Sequence, residues 1–371
     1  MDNSSIAFTP PAHGGQIRAI SKDFSIPIER LLDFSASIYP DGPPASVVKT
    51  LSNALDQLET LRKYPDLEST ELRSHLALYA GVPANNVIVG SGVVPLVAAT
   101  IRALNVRRCL LPVPAFGEYG RILERECVKI ATYRLPAERS FRPDLEETLE
   151  KCVKRDCDAL ILNNPHNPSG ATVDTDALRA FVGMAAQHGI RVLVDEAFID
   201  FVPEQSLCSD VPQFKNLIVF RSVTKFFAMA GLRVAYLAAS EEMLHVISGM
   251  LDPWCVSTLA SLAANAAVQD SAYIARTLNR NAEERTWLTA ALQDAGCGLF
   301  PGGANFILFR LPEEHRERYV WERLIVDHGI VVRNCATFEG LDDNYMRIAV
   351  RGREDNERLV RALSSLLNNG V

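Results

Sequence analysis

Short apolar runs alternate with helix-like stretches through the middle of this chain. Val87, Ile88 and Val89 lead into Gly90-Ser91-Gly92, and helical spacing follows over 94–104. Cys109, Leu110 and Leu111 run into a proline-rich turn, and the fully apolar 159–162 stops at Asn163-Asn164-Pro165. Residues 174–187 again have helical spacing, with Gly189 placed as a stop. Runs at 191–194 and 217–220 end at Asp195-Glu196 and Arg221-Ser222. Strands that are apolar on both faces and separated by helices predict a mostly parallel sheet flanked by helices, an α/β fold. Ligands of such sheets sit beyond the carboxyl ends of the strands. The polar residues that follow these runs all begin there. Near residue 250 the pattern changes. A long helical region is expected to about 296, then strands over 304–309 and 329–333 in a smaller α+β domain. The expected division is a large domain over 46–280 and a small domain combining 1–45 with 281–371.

Composition narrows the function classes. Of 371 residues, 48% are hydrophobic and 22% charged, enough apolar material for a sizeable core. A net charge of -7 argues against a nucleic-acid partner and leaves room for local basic pockets. The stretch 1–15 lacks the basic start and long apolar run of a secretory signal. The most apolar region, 251–269, is interrupted by Asp252, Pro253, Ser257, Ser261 and Asn265. It reads as a small-residue helix packed inside the protein and not as a membrane span. Eight cysteines are scattered without C-x-x-C pairs or zinc-type spacing, so no metal site is expected and a cytoplasmic location is.

Four segments carry the candidate chemistry: N-N-P-H-N-P-S-G (163–170), V-D-E-A-F (194–198), S-V-T-K (222–225) and G-L-R (231–233). Asn167 lies 28 residues before Asp195, Asp195 lies 30 before Lys225, and Lys225 lies 8 before Arg233. Taken singly, Asp195 reads as a helix N-cap, Asn167 as a turn residue and Lys225 as a surface lysine. Taken together, in this order and at these spacings, they resemble the fold-type I pyridoxal-5'-phosphate (PLP) enzymes of the aspartate-aminotransferase superfamily, over essentially the whole chain.

That resemblance implies PLP as cofactor, attached covalently through Lys225. The ring is an electron sink that the protein anchors and tunes. Burial and the nearby charge of Arg233 favour a lysine amine that can lose its proton. Asp195 is implied as the partner of the protonated ring nitrogen and Asn167 as a donor to the phenolic oxygen. Ser222 and Arg233, with Thr224 as a weaker candidate, match phosphate-binding positions. The loop Ser91, Gly92 and Val93 joins them, because a helix N-terminus behind glycines suits an anion. Phe116 falls where the family places a ring over the cofactor face, with core packing as its alternative. Tyr64, in K-Y-P-D (63–66), falls where relatives reach the phosphate of a neighbouring subunit, which implies a homodimer with shared active sites.

Within the superfamily the chain is similar to the threonine-phosphate decarboxylases of cobalamin biosynthesis, and also to the histidinol-phosphate aminotransferases. His13-Gly14-Gly15, D-F-S-A (33–36), D-E-A-F-I-D-F (195–201) and the stretch from Arg333 and Cys335 to F-E-G-L (338–341) favour the decarboxylases. Phe198 stands where the aminotransferases usually carry tyrosine, and removes a donor to the phenolic oxygen. The resemblance implies a lyase that removes CO2 from L-threonine O-3-phosphate or a related ω-phosphorylated amino acid. Transamination and a non-catalytic binding protein are the alternatives. The reaction depends on which substrate bond stands perpendicular to the ring, so carboxylate placement is decisive. Arg347 and Arg333 are implied as holders of the substrate's anionic groups, His13 as a contact for its phosphate, and Ser37 and Asn305 as further substrate contacts. Ser37 and Tyr39 depart from the asparagines usual in the decarboxylases, which leaves substrate identity open.

Overall fold

The computed structural model describes residues 10–341 and 344–368. The opening residues 1–9, part of the stretch expected to carry no signal and to join the small domain, lie outside the described residues, as do 342–343 and 369–371. Ile38–Asn281 and Pro301–Asn305 form one compact unit. The rest of the described chain forms a second.

The larger unit is built on a seven-stranded sheet. Its strands are β1 (Val87–Gly90), β2 (Arg108–Val113), β3 (Lys129–Arg134), β4 (Ala159–Asn163), β5 (Arg191–Asp195), β6 (Leu217–Ser222) and β7 (Ala235–Ala239). They lie in the order β1-β7-β6-β5-β4-β2-β3. β7 is antiparallel to both of its neighbours, and every other pairing is parallel. β1, separated from β6 by β7, therefore points the same way as β6, and six strands deliver their carboxyl ends to one edge. The interior strands are buried along nearly their whole length, because helices cover both faces. Val93–Ala103, Gly117–Arg125 and Glu241–Ser248 pack their apolar sides against one face. Asp174 caps the helix Thr175–Gln187 by accepting from the Ala177 amide at 2.9 Å. Gly189, at φ 69°, follows it in the left-handed conformation that a stop requires.

The expected long helical region over 250–296 is instead broken into Thr258–Val268 and Ser271–Asp294, after Glu241–Ser248 and an irregular 249–257. Pro253 cannot donate within a helix, and Trp254 sits at φ 53°. The 258–268 helix does bury its small residues, with Ala263, Ala264 and Ala267 fully enclosed. Among the described residues no helix is long and apolar enough to cross a membrane.

In the second unit Phe306–Arg310 and Tyr345–Ala349 pair antiparallel, flanked by Gly298–Leu299 and Arg333–Asn334. The single strand expected over 329–333 breaks at Val332. Ile330–Val331 pairs in parallel with Leu32–Asp33, while Arg333–Asn334 joins the other sheet. The indole of Trp321 donates to the Val332 carbonyl at 3.0 Å, which satisfies the backbone at the break. Trp321, Phe34, Phe309 and Ile348 centre this unit's core.

Candidate active site

The polar residues of the larger unit gather at the carboxyl edge of its sheet. Asp195 ends β5 and is buried. Its Oδ2 accepts the Tyr119 hydroxyl at 2.5 Å and its Oδ1 accepts the Ala197 amide at 2.8 Å. Asn163, which ends β4, donates from Nδ2 to the same tyrosine oxygen at 2.6 Å. Burial raises the Asp195 carboxyl above its ordinary value. Hydrogen bonds from Tyr119, Ala197 and Asn163, and the charge of Lys225, oppose that rise. Lys225 therefore stands close enough to Asp195 for the two charges to interact. It is half-buried, three residues beyond the end of β6, and its carbonyl accepts the Tyr39 amide at 3.0 Å. Tyr39 itself is a packed core residue, edge-on to Tyr273, with its hydroxyl donated to Asp41 at 3.0 Å.

Asn167 is buried in the turn that follows β4. Its neighbour His166 fixes that turn. The Pro114 carbonyl can only accept, so His166 Nε2 carries the proton toward it at 2.8 Å. Nδ1 then accepts from the Ser169 hydroxyl at 2.8 Å. Burial pushes the His166 imidazole down to about 4, so it stays neutral at physiological pH and acts as a strut. Gly303 donates to the Gly170 carbonyl at 2.9 Å, and a Cβ at Gly302 would meet Gly170 backbone at 2.6 Å. That close approach sets Pro301–Asn305 against the 166–170 turn. Asn305 is fully buried at the end of this segment, and neither polar atom of its amide has a hydrogen-bond partner among the described residues. Buried amides are rarely left unpaired, which marks this one as a candidate ligand contact.

Gly92 precedes the helix Val93–Ala103 with φ 115°, a conformation side chains rarely adopt, and as the N-cap it brings no side chain to the first N–H groups. A Cβ at Gly92 would come within 2.8 Å of Arg233 Nη2, so the missing side chain admits the guanidinium. Ser91 and Val93, on either side of Gly92, are half-buried. Ser222 and Thr224 share a hydrogen bond between hydroxyls at 2.6 Å, and both are buried. Backbone donors, a cation and two hydroxyls are the donor set that a phosphate monoester requires. Phe116 is half-buried with its ring edge-on to Tyr119 at 5.5 Å. Tyr64 is 80% exposed and packs only one face, against Trp254 at 4.8 Å.

Apart from Asn305, the residues expected to meet substrate lie in the second unit. Arg333 and Arg347 are direct partners across adjacent antiparallel strands, and both are buried. Burial lowers both guanidiniums, Arg347 to about 10, which still leaves it charged at neutral pH. Like charges directly opposite cost stability, and an anion relieves that cost. Arg333 differs from expectation. Its guanidinium donates to the Pro11 and Ala12 carbonyls and to the Thr337 hydroxyl, each at 2.6 Å. It straps down the segment that carries His13, and the two line one cleft with Gln16, Ser35 and Asn334. Arg347 Nη2 reaches the Ser35 carbonyl at 3.5 Å, and its guanidinium lies 4.8 Å over the Phe306 ring. The Ser37 hydroxyl is buried without a hydrogen-bond partner among the described residues.

Sequence reasoning missed Tyr119, three residues after Phe116, and Asn163, which opens a segment it quoted. It also missed the buried charge network of Arg221, Asp200 and Glu196. Alternation along β6 sends Ser222 to one face and Arg221 to the other. There Arg221 pairs with Asp200, which also accepts the Tyr79 hydroxyl at 3.0 Å. Glu196 accepts from Ser206 and Leu207 at 2.6 and 2.7 Å, and burial lifts it to about 7. This network anchors the 196–207 loop behind the site.

Comparison with known proteins identifies relatives along nearly the whole chain. Threonine-phosphate decarboxylase of Salmonella typhimurium is 35% identical over 96% of this chain and 96% of its own. A histidinol-phosphate aminotransferase of Methanocella arvoryzae is 29% identical over 83% of this chain and 85% of its own. The crystal structure of histidinol-phosphate aminotransferase from Clostridium acetobutylicum superposes with a TM-score of 0.85 at 28% identity, covering 91% of this chain and all of that one. The sequence model for aminotransferase class I and II matches residues 29–363, and the chain belongs to that family.

Proposed function

We propose that this protein is a PLP-dependent lyase that decarboxylates L-threonine O-3-phosphate, or a close ω-phosphorylated analogue, to the amino-alcohol phosphate and CO2. The observation that carries the choice is the 35% identity to a threonine-phosphate decarboxylase over nearly the full length of both chains. Enzymes of this family are PLP-dependent. When bound, PLP supplies the electron sink for the bond that breaks at the substrate Cα.

The chain's own residues divide the remaining work. Ser91, Gly92, Val93, Ser222, Thr224 and Arg233 hold the phosphate. Asp195 keeps a proton on the ring nitrogen, and Asn167 donates to the phenolic oxygen. Phe116 would cover a face of the cofactor ring. Lys225 Nζ would anchor the cofactor, and as a free amine it would be the group that returns a proton to the substrate Cα. Arg347 holds an anionic substrate group, and Arg333 presents His13 to another by fixing the backbone at Pro11 and Ala12. Ser37 and Asn305 supply buried polar atoms that lack protein partners. A substrate with both a carboxylate and a phosphate suits this set, and the paired arginines support it.

We further propose a homodimer in which Tyr64 serves the partner's site. Exposed Leu58, Leu61, Tyr64, Leu67 and Trp254 support a covered face there. Sedimentation at the mass of one chain would contradict it. All eight cysteines are free thiols, which supports a reducing, cytoplasmic setting. Transamination is the second reading, favoured by the aminotransferase relatives. A side-by-side assay separates the two. With 31P NMR, L-threonine O-3-phosphate should convert to a new phosphate monoester without any keto acid. L-histidinol phosphate with 2-oxoglutarate should turn over at least ~100-fold more slowly, the discrimination expected when buried polar groups lose their partners. The reverse ranking would move the assignment to the aminotransferase.

A further inference from the structure

We propose that Tyr119 is the positioning residue of the Asp195 carboxylate, with Asn163 setting the direction of its hydroxyl. The inference rests on the PLP reading of the site and adds a residue to it.

The geometry leaves the hydroxyl one role. Tyr119 is buried in the first turn of the helix Gly117–Arg125, with 1% of its surface exposed. A phenolic oxygen has one proton to give and can also accept. The Asn163 amide group is a donor and occupies the accepting side at 2.6 Å. The single tyrosine proton is thereby committed to Asp195 Oδ2 at 2.5 Å. The Ala197 amide holds Oδ1 at 2.8 Å. Each carboxylate oxygen has one fixed donor, so the plane of the carboxylate is set from both sides. Each oxygen also keeps capacity for one more donor. That is the arrangement a carboxylate needs to receive a ring N–H without first reorganising.

Packing alone does not account for the hydroxyl. Tyr119 belongs to the apolar cluster of Leu111, Val113, Ile122, Leu123 and Ile161, where a phenylalanine ring would fill the same space. The hydroxyl adds nothing to that contact and, without partners, would cost free energy to bury. Its two partners are the ends of adjacent strands β4 and β5. Tyr119 therefore ties the helix that follows β2 to the ionisable end of β5.

The charged state follows from the same contacts. The groups facing Asp195 are Tyr119 from the 117–125 helix, Asn163 from β4, the Ala197 amide from its own loop, and Lys225 from the segment after β6. Burial favours the neutral acid, and the Tyr119 hydrogen bond leads the contributions that oppose it. The hydroxyl stays protonated, since burial and the adjacent carboxylate push it well above its ordinary range. Removing it makes Asp195 hold a proton more readily, and a proton held there is one that the ring nitrogen loses.

The test uses the full-length protein loaded with PLP carrying 15N in the ring. In the unaltered protein the ring nitrogen should remain protonated from pH 6 to about 9. In Tyr119→Phe the shared proton should shift from the ring nitrogen toward Asp195 by about 10–100-fold in ratio, lowering the protonated 15N fraction across that range, the worth of one hydrogen bond to a charged group. Turnover should fall ~10–100-fold with KM unchanged, the usual consequence of losing a partner that orients a working group. Asn163→Ala, which keeps the tyrosine but frees its hydroxyl, should shift the same nitrogen in the same direction by less. It also serves if Tyr119→Phe does not fold. An unchanged protonated fraction of the ring nitrogen in the variants overturns the role of Tyr119 while leaving the cofactor reading intact. Failure of the unaltered protein to bind PLP overturns both.

Discussion

Lys225→Ala protein should purify without covalently attached PLP and without its visible absorbance, and its turnover should fall by more than ~10⁴-fold. Two losses combine. The anchoring amine goes, and so does the group that returns a proton to Cα, which is worth ~10²–10⁴-fold alone. The position of Lys225 supports the expectation. It follows β6 by three residues, is half-buried, and lies within electrostatic reach of Asp195, and its backbone carbonyl is held by Tyr39. Other lysines, such as Lys129 and Lys215, are exposed. Borohydride reduction followed by peptide mapping checks the claim. A reducible adduct at another lysine would show that the anchor has been misassigned.

Asp195→Asn should retain the fold and PLP binding yet lose ~10²–10³-fold in turnover. Asparagine has nearly the same shape, and its Oδ1 can still accept from the Ala197 amide or the Tyr119 hydroxyl. What disappears is the buried negative charge, and removing one preorganised electrostatic group typically costs that much. The pH dependence has a definite sign. Burial raises Asp195 in the folded protein above its ordinary value. A carboxyl with a raised folded pKa binds protons more tightly when folded. It therefore favours the fold at low pH, and this contribution fades as pH rises through the folded value. Asp195→Asn should flatten that part of the stability profile as well as slow the reaction. A variant within a few-fold of the unaltered rate would remove Asp195 from the chemistry.

Most of the sheet was legible because burial on both faces writes a plain signal. Apolar runs ending at Asn163, Asp195 and Ser222 became β4, β5 and β6, and the helices over 94–104 and 174–187 lie within a residue or two of expectation. Two strands left weaker traces. β3 is an edge strand whose sequence mixes polar and apolar residues, and β7 is an alanine-rich run with weak strand propensity. The break at Val332 was hidden because both halves are apolar or paired, and only tertiary pairing divides them.

The site was legible where residues contact cofactor chemistry and obscure where they contact each other. Lys225, Asp195, Asn167 and Arg233 stand in recognisable order along the chain. Tyr119 and Asn163 gain meaning only when β4 and β5 lie side by side and the 117–125 helix folds over their ends. Arg333 was read as a substrate contact from the motif it belongs to. Its engagement with Pro11 and Ala12 is a contact between residues more than 300 positions apart, which no local pattern encodes.

The central claim is that the substrate loses its carboxylate and keeps its amino group. L-Threonine O-3-phosphate labelled with 13C at C1, incubated with PLP-loaded protein, tests it by the amount of labelled CO2 released with and without 2-oxoglutarate. One equivalent of CO2 per substrate consumed, at a rate unaffected by the keto acid, is the predicted result. Substrate consumption that requires 2-oxoglutarate, yields glutamate and leaves the label in a keto acid would contradict it.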